Sequence, residues 1–188
     1  MLGAFNSQYL FEMAEQAQLR ILALDLFDRC LAEGNAAPIV AFVEHHVAGD
    51  PPQLQLLRDF AEDLQLRLLS LRSNYYDVRN NVVRTFTEGY GVDISPLVPA
   101  NALERYHLID PQQVLAYALQ HGAVLSTQDK LLLGKLLEVS IKTAERLHND
   151  IQFTTDLQNM VLDWFDALSS TVGRRYWSEQ PPPKPTIH

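Results

Sequence analysis

The stretch that decides the fold runs from Ser126 to Trp177: STQDKLLLGKLLEVSIKTAERLHNDIQFTTDLQNMVLDWFDALSSTVGRRYW. Its apolar residues recur at spacings of three and four, and it contains no proline. This period predicts one long amphipathic helix, or two helices in line with a break near residue 153. The predicted buried positions are Leu133, Leu137, Ala144, Leu147, Ile151, Val161, Phe165, Leu168 and Val172, with Ser140, Thr154 and Gln158 as polar positions in the same register.

A second long helix is predicted between Asp50 and Glu88. Asp50 followed by two prolines is typical of a helix start, and Gly89 is expected to take the left-handed conformation at its end. A helix of this length extends about 55 Å, so we expect it to pair antiparallel with the first. Its predicted buried positions are Leu57, Ala61, Leu64, Leu68, Leu71, Tyr75, Val78, Val82 and Thr85.

Shorter helices complete the predicted architecture. They are expected from about Ser7 to just before Gly34, from Pro38 to Ala48 and from Asp110 to Gln120, with Ser126 and Asp129 forming a capping box before the last helix. The predicted fold is therefore all-α: a single-domain bundle of about five to six helices over residues 1–177, built on two long antiparallel helices. Residues 178–188 are proline-rich and are predicted to form a disordered tail.

Composition excludes several classes of protein. Apolar residues make up 47% of the chain and charged residues 20%, which is typical of a globular protein. The net charge of −8 argues against general binding to nucleic acid or to an anionic membrane. A single cysteine, Cys30, permits no disulfide within one chain. We find no signal peptide and no membrane span, so a cytoplasmic location is expected.

The least common composition lies in the second long helix, between residues 72 and 84. Asn is a poor helix former, and three Asn within eight residues cost about 1–2 kcal/mol relative to Ala. Two explanations stay open: a buried polar network in which Arg79 or Arg84 meets an Asp on a neighbouring helix, or a surface that binds a partner. The candidate interaction residues are Arg72, Asn74, Tyr76, Asp77, Arg79, Asn80, Asn81 and Arg84.

The end of the last helix forms a second candidate surface. Arg174 and Arg175 are followed by Tyr176 and Trp177, and these residue types are enriched at protein interfaces. Arginines near a helix C-terminus also stabilise the helix dipole, which is the simpler explanation for their position.

Two Glu-x-x-His motifs suggest a different chemistry. In di-metal carboxylate bundles such motifs supply one carboxylate and one imidazole each from the same helix face. The first motif lies between Pro99 and Pro111 rather than within a long helix, and the further inward Glu residues that such a centre needs are missing from the predicted buried positions. A metal site is therefore kept as an alternative, formed by Glu104, His107, Glu145 and His148.

Other signs of catalysis or cofactor binding are weak. His45 and His46 are adjacent on a helix and point about 100° apart, so they do not readily share one ion. Cys30 lies in an apolar helix, which disfavours its thiolate. The chain has no glycine-rich phosphate loop and no nucleophile elbow. The helix–turn–helix pattern around Gly122 places Gln128 at a position that should be buried, so DNA binding is not expected.

These observations predict a non-enzymatic helical module, without a cofactor, that acts through protein–protein interaction as an adaptor or regulator. Long helices expose more surface than a monomer of this size covers easily, which favours self-association. The alternatives are the metal-binding bundle and a small-molecule sensor with a pocket lined by Tyr75, Tyr76 and Arg79. The partner's identity is not encoded in any motif of the chain.

Overall fold

The computed structural model describes residues 2–49, 51–98 and 105–179, with the side chains of 2–8 and 173–179 left out of the description. Within these ranges the protein is all-α and contains no strand, which confirms the predicted fold class. The bundle is built on two long antiparallel helices, α3 and α5. The five helices are α1 (Leu2–Glu33), α2 (Ala37–His46), α3 (Leu54–Tyr90), α4 (Pro111–Gln120) and α5 (Thr127–Glu179).

Helix α5 is continuous over 53 residues, so the alternative of two helices in line is wrong. The predicted capping box precedes it. Ser126 Oγ accepts the backbone N–H of Asp129 at 3.1 Å, while the Asp129 carboxylate accepts the backbone N–H of Ser126 at 2.9 Å. One predicted core position differs, because 40% of Val172 is exposed.

The other helix boundaries follow the predicted caps with some differences. Asp110 caps α4 by accepting the N–H of Gln112 at 2.9 Å, as expected. Helix α3 begins at Leu54 rather than at the prolines that follow Asp50, which itself lies outside the described residues. The glycine with positive φ after α3 is Gly91, at 68°, rather than Gly89. Helix α1 begins at Leu2, five residues before the predicted start.

Two compact units divide the chain. The first contains α1, α2, the beginning of α3 as far as Leu66, and α5 from Phe153 onward. Its core includes Phe27, Cys30, Ile39, Phe42, Leu57, Phe60, Leu64, Leu157 and Val161.

Polar contacts reinforce the packing of the first unit. Arg20 on α1 forms a two-pronged ion pair with Asp63 on α3, with N–O distances of 2.7 and 2.6 Å. Gln158 on α5 donates to the Ala61 carbonyl at 3.3 Å and to Gln65 at 2.9 Å. Gln158 was predicted as a polar position in the buried register, and in the structure it binds α3 directly.

The second unit covers residues 67–152 and therefore contains α4 and the adjoining parts of α3 and α5. Its loop segment contributes Tyr106, whose hydroxyl lies 2.7 Å from the buried Ser140 on α5. Tyr90 at the end of α3 donates to Asp129 near the start of α5 at 3.2 Å. Its core includes Tyr75, Val82, Phe86, Ile94, Val98, Tyr106, Val114, Leu133, Leu137 and Leu147.

The predicted domain 1–177 therefore contains two compact units. The boundary of the tail stays a prediction, since α5 extends to Glu179 and residues 180–188 lie outside the described part. In the ranges that are described, no helix is long and apolar enough to cross a membrane.

Candidate functional site

The polar stripe predicted as an interaction surface lies on α3 in the second unit. Most of its side chains face solvent, and Tyr76 exposes 40% of its surface. Asn80 is half-buried and Arg79 is buried. The exposed members are Arg72, Asn74, Tyr76, Asp77, Asn81 and Arg84.

Arg79 forms a buried polar contact rather than a surface. Its Nε donates to the Val98 carbonyl at 2.7 Å, and its Nη2 donates to the same oxygen. Its Nη1 donates to Asn80 Oδ1 at 2.7 Å, and the Tyr76 ring centre lies 6.0 Å from the guanidinium carbon. The sequence predicts an Asp as the partner of this arginine. The observed partner is instead the carbonyl of Val98, which follows α3.

The two explanations for the stripe therefore apply to different residues. Arg79 and Asn80 belong to a buried network, in which the Asn side chain orients the guanidinium. Asn81 accepts from Arg84 at 2.9 Å on the exposed side of the helix. This local pairing offsets part of the cost of Asn in the helix, and it leaves the exposed members available as a surface.

The C-terminal candidates Arg174, Arg175, Tyr176 and Trp177 lie within α5. Their side chains lie outside the described part of the chain, so their role as a contact surface stays a prediction.

The structure brings together the histidines of the two Glu-x-x-His motifs. The rings of His107 and His148 stack with centroids 4.3 Å apart and an angle of 25° between their planes. Glu145 is exposed and Glu104 lies outside the described residues. The sequence places these histidines 41 positions apart, and the fold of the second unit makes them neighbours.

Tyr75 on α3 completes this cluster. Its hydroxyl oxygen lies 3.0 Å from His107 Nδ1 and also accepts the backbone N–H of His107 at 3.3 Å. Burial lowers the pKa of His107 below its ordinary value of 6.5, and the neighbouring His148 lowers it further, while Glu145 opposes the shift.

The geometry of this cluster does not resemble a metal centre. Ligating imidazoles point nitrogen atoms at a common ion, whereas these rings lie face to face. In the ranges with placed side chains, no group of three or more His, Cys, Asp or Glu is arranged to hold a metal ion. The di-metal alternative also requires Glu104, so it stays open to direct measurement.

His45 and His46 form no shared site either. Their rings meet edge to face at 4.7 Å, and His46 packs at 5.1 Å from the Phe42 ring. His46 is half-buried while His45 is exposed. His46 is thus a partly buried side chain that packs on Phe42 at the end of α2.

The sensor alternative predicts a pocket around Tyr75, Tyr76 and Arg79. Tyr75 and Arg79 are instead packed into the second unit, and Tyr76 is exposed. An open groove of about 430 Å³ lies in the first unit between α3 and α5. It is lined by Leu57, Arg58, Ala61, Glu62, Gln65, Gln158, Leu162 and Phe165.

One surface was not predicted: an apolar stripe on α5 in the second unit. Leu132 exposes 55% of its surface, Leu136 38% and Val139 65%. Their spacings of four and three place them on one face of the helix, about a quarter turn from the buried row. Leu131 is also exposed, at 59%. The signal was present in the sequence as LLLGKLLEV, where the apolar residues are too numerous for one buried row.

A second unpredicted surface lies on α1 in the first unit. Every side chain from residue 9 to residue 18 is exposed. Tyr9, Leu10 and Met13 are the large apolar members of one face of this segment, and Phe11 lies on another face with 71% exposed. The helix first contacts the core at Leu19, so residues 9–18 extend along solvent.

Comparison with protein-family models, with curated proteins and with solved structures finds no match to this chain.

Proposed function

We propose that this protein is a non-enzymatic interaction module that self-associates through its exposed apolar helix faces. The observation that carries the proposal is the stripe of Leu132, Leu136 and Val139, which are 38–65% exposed over two turns of α5. Each buried leucine contributes about 1.5–3 kcal/mol relative to an exposed one. A contiguous apolar row on a helix is typical of protein–protein contact.

The occupant that we propose is a second copy of the chain. The chain presents two separate faces of this kind, on α1 and on α5, and both are uncovered within one copy. A protein that exposes two amphipathic faces is well suited to contacts between identical copies, which is how most soluble oligomers form.

The polar stripe on α3 serves a different role in this proposal. Its exposed members, centred on Tyr76 and Asp77, carry charged and amide groups rather than an apolar row. Tyr and Arg are enriched at the anchors of protein interfaces. We assign this stripe to an adaptor or regulatory contact with another protein, separate from self-association.

Sedimentation velocity of stripe variants tests the proposal. Replacing Leu132 and Val139 by Ser removes two apolar side chains that are already exposed, so the fold is expected to persist. The dimer should weaken by at least about tenfold. Leu69→Ser is the matched control, because Leu69 is similarly exposed, at 54%, but lies on α3 rather than on the α5 stripe. If the double variant and the control sediment alike, the stripe does not mediate self-association.

A further inference from the structure

The charges beside the apolar stripe of α5 are basic. Lys135, Lys142 and Arg146 follow the exposed edge of the row formed by Leu132, Leu136 and Val139, and all three are exposed. Glu138 and Glu145 are exposed too and lie further from the stripe, beyond the lysines. This basic edge is notable because the whole chain carries a net charge of −8.

The charges beside the apolar face of α1 are acidic. Between residues 9 and 18 the chain has Glu12 and Glu15 and no Lys or Arg. Both glutamates are exposed, and Glu12 lies beside Tyr9 on the edge of the face formed by Tyr9, Leu10 and Met13. The segment is thus an acidic amphipathic helix.

Charge complementarity selects how two copies meet. In an antiparallel pair of identical helices the same edges meet, so α5 with α5 places lysines against lysines and α1 with α1 places glutamates against glutamates. The pairing of α1 with α5 instead joins opposite charges beside two apolar rows. The lengths also agree, since residues 9–18 extend about 15 Å and residues 132–143 about 18 Å.

From this relation we infer that residues 9–18 of α1 in one copy bind the α5 stripe of a second copy. The inference rests on the proposed self-association and specifies its two surfaces. The contact joins two different patches, so a closed dimer contains it twice: each copy gives its α1 segment and receives that of the other.

A mixing experiment tests this pairing. The first variant, K135E/K142E, has two acidic faces, and the second, E12K/E15K, has two basic faces. Each alone is expected to dimerise at least about tenfold more weakly than the unmodified chain. When the two are mixed in equal amounts, both contacts join opposite charges again, so a mixed dimer should form with nearly the original affinity.

Net charge alone predicts a different outcome. K135E/K142E makes the chain more negative by four charges, whereas E12K/E15K makes it less negative by four, so general repulsion would weaken only the first. E44K/E88K is the matched control, because it has the same net charge as E12K/E15K and changes exposed glutamates outside residues 9–18. Mixed with K135E/K142E, it should not restore a dimer. Circular dichroism confirms that each variant is folded.

The outcomes separate this inference from the proposed function. If the unmodified chain is a dimer but mixing restores nothing, or if the control restores it equally, the α1–α5 pairing is wrong and self-association stands. If the unmodified chain is a monomer at all concentrations, both are wrong. If the dimer recovers when K135E/K142E is mixed with E12K/E15K but not with E44K/E88K, the result supports both self-association and the α1–α5 pairing.

Discussion

The hydroxyl oxygen of Tyr75 lies 3.0 Å from Nδ1 of His107, and it ties the loop before α4 to the middle of α3. The outer face of the same imidazole stacks on His148 of α5. Three segments of the second unit therefore meet at one ring.

The burial of His107 beside His148 makes the stability of the protein dependent on pH. The pKa of His107 in the folded protein is below the 6.5 of a free side chain, because burial and His148 disfavour its charge. The folded state therefore takes up fewer protons than the unfolded state. The stabilising contribution is complete above about pH 6.5, and it is lost as the pH falls through that value and through the lower pKa of the folded state.

Thermal unfolding at about pH 7.5 and pH 5.5 measures this effect. The melting temperature of the unmodified chain should fall on acidification, and the fall should be smaller in His107→Gln, which cannot take up the proton. The carboxylates and the other histidines are common to both proteins and cancel in the comparison. An equal fall in both would show that His107 does not carry the pH dependence.

Arg79 should contribute strongly to stability despite its charge. It is only 6% exposed, and its guanidinium binds the Val98 carbonyl and Asn80. Arg79→Met leaves that carbonyl without its donor, and we expect a loss of about 1.5–3 kcal/mol in the free energy of unfolding. Urea denaturation provides the measurement.

Arg72→Met is the control for Arg79, because Arg72 is exposed on the same helix. Its effect should stay within about 0.5 kcal/mol. If the two variants have the same stability, the buried contact of Arg79 contributes nothing beyond the packing of its stem.

The metal alternative has a direct test. We expect elemental analysis of the purified chain to find no stoichiometric Fe, Mn or Zn, and dialysis against EDTA to leave the melting temperature unchanged. The stacked rings of His107 and His148 are the reason, since they do not converge on one point. One metal ion per chain that disappears in the double variant H107Q/H148Q would establish the metal site instead.

The tail is predicted to be peripheral to the fold. Deleting residues 178–188 removes only the last two residues of α5 together with the proline-rich segment. The helical signal in far-ultraviolet circular dichroism and the melting temperature should therefore hardly change. A clear loss of either would mean that the tail packs against the folded part.

The sequence predicted the long helices well because their apolar period is regular. Leu133, Leu137 and Leu147 are buried as expected, and the caps at Asp110 and Ser126 follow local rules. Local patterns suffice for features of this kind, since both the period and the cap lie within a few residues of one another.

Features that depend on distant neighbours were not predicted. Ile21 lies in the largely apolar run LRILALDLFDRCL, yet 60% of it is exposed. The pairing of His107 with His148 and of Arg79 with Val98 joins residues far apart in the chain, and periodicity carries no information about it. The surplus of apolar residues around Leu136 indicates a second apolar row, but periodicity does not show which of the two rows is buried.

Light scattering on the unmodified chain is the most direct test of the central claim, which is self-association. As the concentration rises through the micromolar range, the mass should approach twice the 21.3 kDa of one chain. A mass that stays at 21.3 kDa throughout would contradict the account.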